Sequence, residues 1–211
     1  MAKMQPFWWF LPPPYVYPCW YDECESADGW TMGPYMSIAL DSVTKKQGSY
    51  SVKITANHVA GGPTDSSYKP VTHCNNIVGL WIRADLPAEG CIFYIRFEKG
   101  DGAYMQALLF YSPWSHKRIY EVDVVDPDVG SYSVGSTDYT NGDWVWFELF
   151  SDGHQTEAHI NGVDKGGGAG YVVSPFISVK VQVDINAPTC SVWLDWIRFF
   201  PDWEYPPTYP Y

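Results

Sequence analysis

The sequence contains no apolar run close to the roughly 20 residues that a membrane-spanning helix needs, because Pro, Gly or a polar residue interrupts every aromatic stretch. We therefore predict no membrane insertion. Basic residues are also scarce: 13 Lys and Arg stand against 24 Asp and Glu, which gives a net charge of −11. Because nucleic-acid binding needs a basic face for the phosphates, we predict no nucleic-acid partner.

The motifs of common zinc and nucleophile sites are absent as well. The five histidines have no metal-like spacing and the cysteines include no Cys-x-x-Cys pair, so we expect no zinc site. No Gly-x-Ser-x-Gly elbow is present. The cysteines fit either one or two disulfides with a thiol left over, or buried free thiols. They are Cys19, Cys24, Cys74, Cys91 and Cys190.

The N-terminus has only part of a secretory signal. Lys3 precedes the apolar residues 7–11, but prolines at 12–14 end the run and no small-residue cleavage pattern follows. We therefore expect no cleaved signal peptide.

The body of the chain is a series of short runs rich in β-branched and aromatic residues, separated by turns containing Gly, Pro and Asn. No segment has a helical pattern. The runs predict ten strands near residues 36–40, 49–55, 77–83, 91–98, 104–111, 118–124, 144–150, 156–160, 177–185 and 191–199. Without helices to cover them, these strands must bury their apolar faces against one another. We therefore predict two packed antiparallel sheets or a barrel.

Alternation assigns side chains to the two faces of each predicted strand. Residues 177–185 give the clearest core stripe, made of Ile177, Val179, Val181, Val183 and Ile185. In residues 144–150 the same rule places Phe147 inside and Trp146 and Glu148 outside. The predicted outer face therefore mixes aromatic rings with Arg, Lys, Gln and Glu.

Three segments, in order, resemble jelly-roll carbohydrate-binding modules and their laminin-G and concanavalin-like relatives. They are Asp-Glu-Cys-Glu at 22–25 followed by Gly-Trp at 29–30, Gly-Ser-Tyr-Ser-Val-Lys-Ile at 48–54, and Val-Trp-Leu-Asp-Trp-Ile-Arg-Phe at 192–199. Residues 144–163 also resemble the laminin-G-like hairpin. The resemblance spans residues 21–201 and implies an all-β, antiparallel two-sheet jelly-roll sandwich. That fold hosts lectins, enzymes and structural modules alike.

The resemblance also implies a structural calcium ion. In the carbohydrate-module pattern an early acid and an acid of the last strand often bind Ca²⁺, and Glu25 and Asp195 hold the matching places, with Asp22 or Glu23 as additional ligands. Ca²⁺ takes six to eight oxygens, so backbone carbonyls would complete the shell and the ion would join the first and last strands. The alternative is that both acids are solvated at strand ends.

Polysaccharide binding fits the predicted outer face best. Sugar rings stack on Trp or Tyr, and their hydroxyl groups bond to Arg, Gln and carboxylates. The alternative is that, among 11 Trp, 16 Tyr and 10 Phe, some rings lie outside without binding anything. The candidate glycan-binding residues are Tyr94, Arg96, Gln106, Trp146, Glu148, His159 and Gln182.

We predict no catalytic residues. Glu121 and Asp123 share a strand face, but the third acid of the Glu-x-Asp-x-x-Glu pattern of retaining hydrolases is missing. The motif strings of jelly-roll polysaccharide lyases are missing too, although the residue types that those enzymes bring together occur at Tyr94, Arg96, Gln106 and His159.

Both ends of the chain differ from its body. Residues 1–20 and 202–211 are rich in Pro and aromatic residues, so we predict extended arms flanking the sandwich of residues 21–201. Exposed rings need cover, either on the chain's own surface or on another subunit. The candidate assembly residues are Phe7, Trp8, Trp9, Phe10, Trp203 and Tyr205.

These features together predict a non-catalytic structural or assembly protein on a virion or extracellular surface, such as a capsid decoration, tail or filament subunit. Its jelly roll is of the carbohydrate-binding type, and its predicted partners are copies of itself or other subunits and a polysaccharide. The first alternative is a secreted carbohydrate-binding module. The second is a polysaccharide-degrading jelly-roll enzyme.

Overall fold

The computed structural model describes residues 19–57, 65–74, 77–86, 92–111, 118–126, 130–151, 155–169, 175–183 and 189–200. Within these ranges the chain has fourteen β-strands and no helix, so the predicted all-β class is confirmed. The described residues therefore include no helix that could cross a membrane. The arm residues predicted to act in assembly, Phe7, Trp8, Trp9, Phe10, Trp203 and Tyr205, lie outside the described residues.

The strands are β1 (Trp20–Asp22), β2 (Met36–Asp41), β3 (Ser51–Ala56), β4 (Asp65–Cys74), β5 (Ile77–Asp85), β6 (Ile92–Lys99), β7 (Tyr104–Tyr111), β8 (Arg118–Asp126), β9 (Gly130–Tyr139), β10 (Trp144–Ser151), β11 (Gln155–Ile160), β12 (Val163–Ala169), β13 (Phe176–Val183) and β14 (Cys190–Phe200).

The strands form two antiparallel sheets. The larger sheet has the order β12-β11-β10-β5-β14-β3-β2, with β1 paired to β14. The smaller sheet has the order β4-β13-β6-β7-β8-β9. The two sheets pack as a sandwich, as the predicted jelly-roll fold requires.

The core lies between the sheets and follows the alternation of the strands. Along β6, Phe93, Ile95 and Phe97 are buried, while the residues between them are partly exposed. The ring of Phe199, on β14, lies 6.2 Å from Phe97, which belongs to the opposite sheet. The aromatic residues of the two sheets therefore meet in one shared core.

The predicted core stripe of β13 needs one correction. Val179, Val181 and Val183 are buried as expected, but Ile177 is 37% exposed and Phe176 takes its place in the core. The reason is a β-bulge between Phe176 and Ser178, which shifts the register by one residue. A one-residue shift reverses the face of every preceding side chain. Ile185 and Cys91 lie outside the described residues.

Four strands were not predicted: β1, β4, β9 and β12. The sequence of β9 is mostly Ser, Gly, Thr and Asp, and that of β12 holds three glycines, so neither shows the β-branched pattern of a central strand. β4 contains a proline and lies at an edge of the smaller sheet. An edge strand needs less side-chain packing and tolerates proline. These segments therefore become strands through pairing with neighbouring strands, which their local β-propensity did not indicate.

Three cysteines can be assigned. Cys19 and Cys190 are each disulfide-bonded, whereas Cys24 is a free, buried thiol. The Cys19 amide donates to the Phe199 carbonyl at 2.8 Å, which places Cys19 at the opposite end of β14 from Cys190. The two residues consequently take part in separate disulfides. Of the alternatives predicted for the cysteines, the structure agrees with disulfides and a remaining free thiol.

Candidate functional site

The outer face of the smaller sheet carries a line of polar and aromatic side chains. Strand register aligns five residues on five neighbouring strands, β4, β13, β6, β7 and β8. We call these residues the Arg96 row, and they are Tyr68, Lys180, Arg96, Gln106 and Asp123. Neighbouring strands are about 4.8 Å apart, so the row extends across about 19 Å.

Hydrogen bonds organise the middle of the row. Arg96 Nε donates to Gln106 Oε1 at 2.8 Å, and Gln106 Nε2 donates to Asp123 Oδ2 at 3.1 Å. Gln106 is 5% exposed, so these contacts satisfy an amide that is mostly removed from water. They also set the direction of the amide, with its oxygen toward Arg96 and its nitrogen toward Asp123. The side chains of Arg96, Gln106 and Asp123 are therefore held in place by one another.

Two tyrosines border Arg96. Its guanidinium carbon is 5.3 Å from the ring centre of Tyr94 and 4.5 Å from that of Tyr104. Both distances are within the range of a cation–π contact. Tyr94 lies next to Gln182 in the register between β6 and β13. Aromatic rings and hydrogen-bonding groups thus occur together on this face.

A second polar group lies beside the row. Glu98 Oε1 accepts from Lys180 Nζ at 3.1 Å, and Glu98 Oε2 accepts from Ser178 Oγ at 2.7 Å. The charge of Lys180 is therefore matched by a carboxylate. No described carboxylate lies within ion-pair distance of Arg96.

The seven candidate glycan-binding residues divide between two faces. Four of them lie on the outer face of the smaller sheet: Tyr94, Arg96, Gln106 and Gln182. The other three belong to β10 and β11 of the larger sheet: Trp146, Glu148 and His159. Alternation predicted that each residue points outward from its strand, but it could not indicate which strands share a sheet. The seven therefore do not form one surface.

The prediction that Trp146 lies on an exposed face is wrong. Trp146 is fully buried, with its ring 5.3 Å from that of Trp81 and 5.9 Å from that of Trp196. It also lies against Gly79, where a Cβ would come within 2.7 Å of the indole. The glycine on the neighbouring strand thus makes room for the large ring. Trp146 packs between its neighbours and offers no platform for a sugar.

Glu148 is likewise buried, at 2% exposure, and its Oε1 has no hydrogen-bond partner. Burial raises the pKa of Glu148 to about 7. The Trp146 indole offsets this shift only in part, and its N–H falls short of hydrogen-bond geometry. His159 is half-buried, and its Nδ1 is 3.8 Å from Glu148 Oε2. Glu148 and His159 thus lie together on the larger sheet, away from the Arg96 row.

The glycan-binding candidates predicted from the sequence did not include several residues of the polar face. Tyr104 and Asp123 follow the same alternation as Gln106 on the strands predicted at 104–111 and 118–124, so the signal was present. Lys180 was assigned to the correct face without a role. Tyr68, which is 43% exposed, could not be found because β4 was not predicted.

The predicted calcium residues Glu25 and Asp195 both contact the β2–β3 loop, residues 42–50. Asp195 Oδ2 accepts from the Lys46 and Gln47 amides at 2.8 and 2.9 Å, and Glu25 Oε1 accepts from the Ser49 amide at 2.6 Å. Asp195 Oδ1 is buried without a partner. Burial raises the pKa of Asp195 to about 6, and the nearby Glu25 carboxylate adds to this shift.

These two acids fit a divalent cation, because they combine like charges in proximity with an unsatisfied buried oxygen. Asp22 does not fit as an additional ligand. Its two oxygens accept from the Cys24 amide at 2.9 Å and from Lys69 Nζ at 2.6 Å. The described residues contain no cluster of three or more His, Cys, Asp or Glu suited to a metal, so any further ligands would have to be carbonyls or water.

A cleft of about 900 Å³ lies elsewhere, beside the β9–β10 and β11–β12 turns. Its lining includes Lys46, Asp143, Trp144, Asn161 and Lys165 but no residue of the Arg96 row. The Asn161 side chain accepts from the Trp146 amide at 2.9 Å, so part of the lining serves the fold. We place the candidate site at the Arg96 row, because the polar groups there form a connected network.

No protein-family model matches the sequence, and no curated protein matches it in sequence. Solved structures do share the fold. A cellulose-induced protein, Cip1, is 16% identical with a TM-score of 0.59, over 86% of this chain and 97% of that one. An endo-β-1,4-glucuronan lyase from the fungus Trichoderma reesei is 12% identical with a TM-score of 0.58, over 88% of this chain and 96% of that one.

A third solved structure is the carbohydrate-binding module CBM2 of the evolved Dit protein of Lactobacillus casei BL23 phage J-1. It is 10% identical with a TM-score of 0.59, over 90% of this chain and 98% of that module. These matches show that the chain has the jelly-roll sandwich fold of carbohydrate-binding modules and polysaccharide-active enzymes. At such low identity they show the fold alone.

Proposed function

We propose that this chain binds a polysaccharide on the outer face of its smaller sheet, along the Arg96 row and the tyrosines beside it. The observation that carries the proposal is the hydrogen-bonded series Arg96–Gln106–Asp123, bordered by Tyr94 and Tyr104. Sugar rings stack on tyrosines, and hydroxyl groups bond to amides, guanidinium groups and carboxylates. The length of the row, about 19 Å, suits an oligosaccharide rather than a single sugar.

The comparisons give the proposal further support. One similar structure is a carbohydrate-binding module and another is a lyase of a polysaccharide. Neither likeness transfers a ligand to this chain. Both likenesses support the proposal, because the names of these two proteins refer to a carbohydrate.

A screen against a panel of immobilised oligosaccharides, followed by calorimetry on the best ligand, tests the proposal. We expect Tyr68→Ala and Tyr104→Ala each to weaken binding about threefold to tenfold, as removal of a stacking ring predicts. Tyr21→Ala is the matched control, because Tyr21 is also exposed but belongs to β1 of the larger sheet. No binding to any saccharide, or an equal loss in the control, would contradict the proposal.

We also propose that Glu25 and Asp195 hold a calcium ion, which would link the segment after β1 to β14 and neutralise two neighbouring carboxylates. The unsatisfied Asp195 Oδ1 supports this assignment. We expect 1 mM Ca²⁺ to raise the melting temperature of the EDTA-treated protein, with no such effect in Asp195→Asn. Equal stabilisation of both proteins would exclude Asp195 as a ligand.

Assembly is a second candidate function, and it concerns the arms. A chain with Pro- and aromatic-rich ends suits a subunit whose arms cover a neighbour, and a module of a phage Dit protein shares the fold. The disulfides of Cys19 and Cys190 are typical of an extracellular or virion location. Light scattering on the whole chain and on a variant without residues 1–18 and 202–211 tests assembly. A monomer in both cases would remove this function.

Catalysis stays outside the proposal. The similar structures include both enzymes and non-catalytic modules, so they favour neither alternative. We expect no new reducing or unsaturated ends when the purified protein is incubated with the polysaccharide that it binds. Turnover that Arg96→Gln abolishes would instead identify an enzyme.

A further inference from the structure

We infer that the polysaccharide is acidic and that Arg96 binds the carboxylate of a uronic acid residue. This inference rests on the proposed binding function and adds the chemical class of the ligand. It follows from the hydrogen bonds that Arg96 makes, from its orientation between two rings, and from the charges that surround it.

The hydrogen bonding of Arg96 leaves the end of its side chain available. Its Nε donates to Gln106 Oε1 at 2.8 Å, which fixes the base of the guanidinium group. No other described atom accepts a hydrogen bond from this group, so both terminal Nη groups have donors to offer. Two parallel N–H donors match the two oxygens of a carboxylate in a bidentate contact.

The tyrosines restrict the orientation of that group. Tyr94 and Tyr104 lie 5.3 and 4.5 Å from the guanidinium carbon, on strands β6 and β7. Ordering an arginine side chain before binding lowers the entropy that must be lost when the ligand binds. Arg96 is thus prepared for a planar anionic partner.

The surrounding charges make Arg96 the one unmatched cation among the described residues of this face. Lys180 is paired with Glu98 at 3.1 Å. Asp123 is 3.1 Å from Gln106 Nε2 and makes no ion pair with a described cation. A hydroxyl group could accept a hydrogen bond from Arg96 but would not balance its charge, whereas a carboxylate does both.

The charge of the whole chain strengthens the argument. With a net charge of −11, the protein repels a polyanion at long range. Without Arg96, this face of the sheet would keep Asp123 and the neutral Lys180–Glu98 pair, so an acidic ligand would meet a negative face. Binding of a uronic acid polymer must therefore depend strongly on this one residue.

The test compares each acidic ligand with its neutral counterpart. Oligosaccharides of β-1,4-glucuronate, α-1,4-galacturonate and β-1,4-mannuronate are each titrated calorimetrically beside the carboxyl-reduced form of the same chain. We expect the wild type to bind at least one acidic oligosaccharide about tenfold or more tightly than the matching neutral one. Arg96→Gln should remove this preference, while Arg96→Lys, which keeps the charge but not the fork, should retain part of it.

Lys45→Gln is the matched control, because it removes one positive charge from an exposed position outside the Arg96 row. It should leave the preference for the acidic form unchanged. Because Arg96 is only partly buried, we expect Arg96→Gln to fold. A thermal unfolding transition of this variant will verify that it is folded. A circular dichroism spectrum identical to that of the wild type is the second check.

The outcomes separate the inference from the proposed function. If the neutral oligosaccharides bind as tightly as the acidic ones, or Arg96→Gln weakens both equally, the acidic ligand is refuted and polysaccharide binding stands. If neither form binds and the wider oligosaccharide panel also gives no ligand, both are refuted. If Lys45→Gln loses the preference as well, the effect comes from overall charge and the role of Arg96 is refuted.

Discussion

Glu148 provides a stability prediction that depends on pH. Its carboxyl group is 2% exposed, and burial raises its pKa from the ordinary 4.5 to about 7. In the unfolded chain the group ionises near its ordinary pKa, so between pH 4.5 and 7 the folded state binds more protons than the unfolded state. Stability contributed by this group therefore falls as pH rises through that window, and the loss is complete above about pH 7.

The shift gives the size of the effect. A tenfold change in acid dissociation corresponds to about 1.4 kcal/mol, so a rise in pKa from 4.5 to about 7 means that the ionised form destabilises the fold by about 3 kcal/mol. Glu148→Gln cannot ionise. We expect the stability of the variant relative to the wild type to be about 3 kcal/mol greater at pH 8 than at pH 4. For a chain of this size, that corresponds to about 6–12 °C in melting temperature.

Urea unfolding of both proteins at pH 4 and pH 8, without reductant so that the disulfides stay intact, measures this difference. The comparison between the two pH values cancels any pH-independent effect of the amide on packing. Asp195 has a raised pKa as well, but it is present in both proteins and cancels too. The reasoning is refuted if Glu148→Gln changes stability equally at both pH values, or destabilises the protein more at pH 8.

Three further predictions concern the core, the loop and the free thiol. Phe199→Ala should destabilise the fold by about 3–5 kcal/mol in urea unfolding, because the Phe199 ring packs against Phe97 and other core rings. A loss below about 1 kcal/mol would be inconsistent with the shared core. Gly48→Ala should lower the melting temperature and reduce its increase in Ca²⁺. Gly48 has φ +61°, and a Cβ there would collide with the Glu25 carboxylate. An unchanged melting temperature would argue against this. Cys24 is buried, and burial raises its pKa, so iodoacetamide should label its thiol only after unfolding. Peptide mapping measures this labelling, and labelling in the native protein would contradict the burial of Cys24.

The fold followed from periodicity where strands are central. Strand β6 alternates buried and partly exposed residues, and β7 and β10 are runs rich in aromatic and aliphatic residues. The bounds of all three differ from the predicted ones by no more than one residue at either end. Periodicity was insufficient at the edges, in β9 and β12, where polar and glycine-rich segments become strands through pairing with a neighbour. It was also insufficient at the bulge before Ser178, where one extra residue exposes Ile177.

For the candidate site, the sequence alone determined the residue types and the direction in which each side chain leaves its strand. Tyr94, Arg96 and Gln106 were identified in this way. Only the tertiary structure decided that they share a face with Tyr68 and Lys180, and that Trp146 is buried on the other sheet. Alternation is a property of a few consecutive residues, whereas strand pairing and the cover over a face depend on residues far apart in the chain.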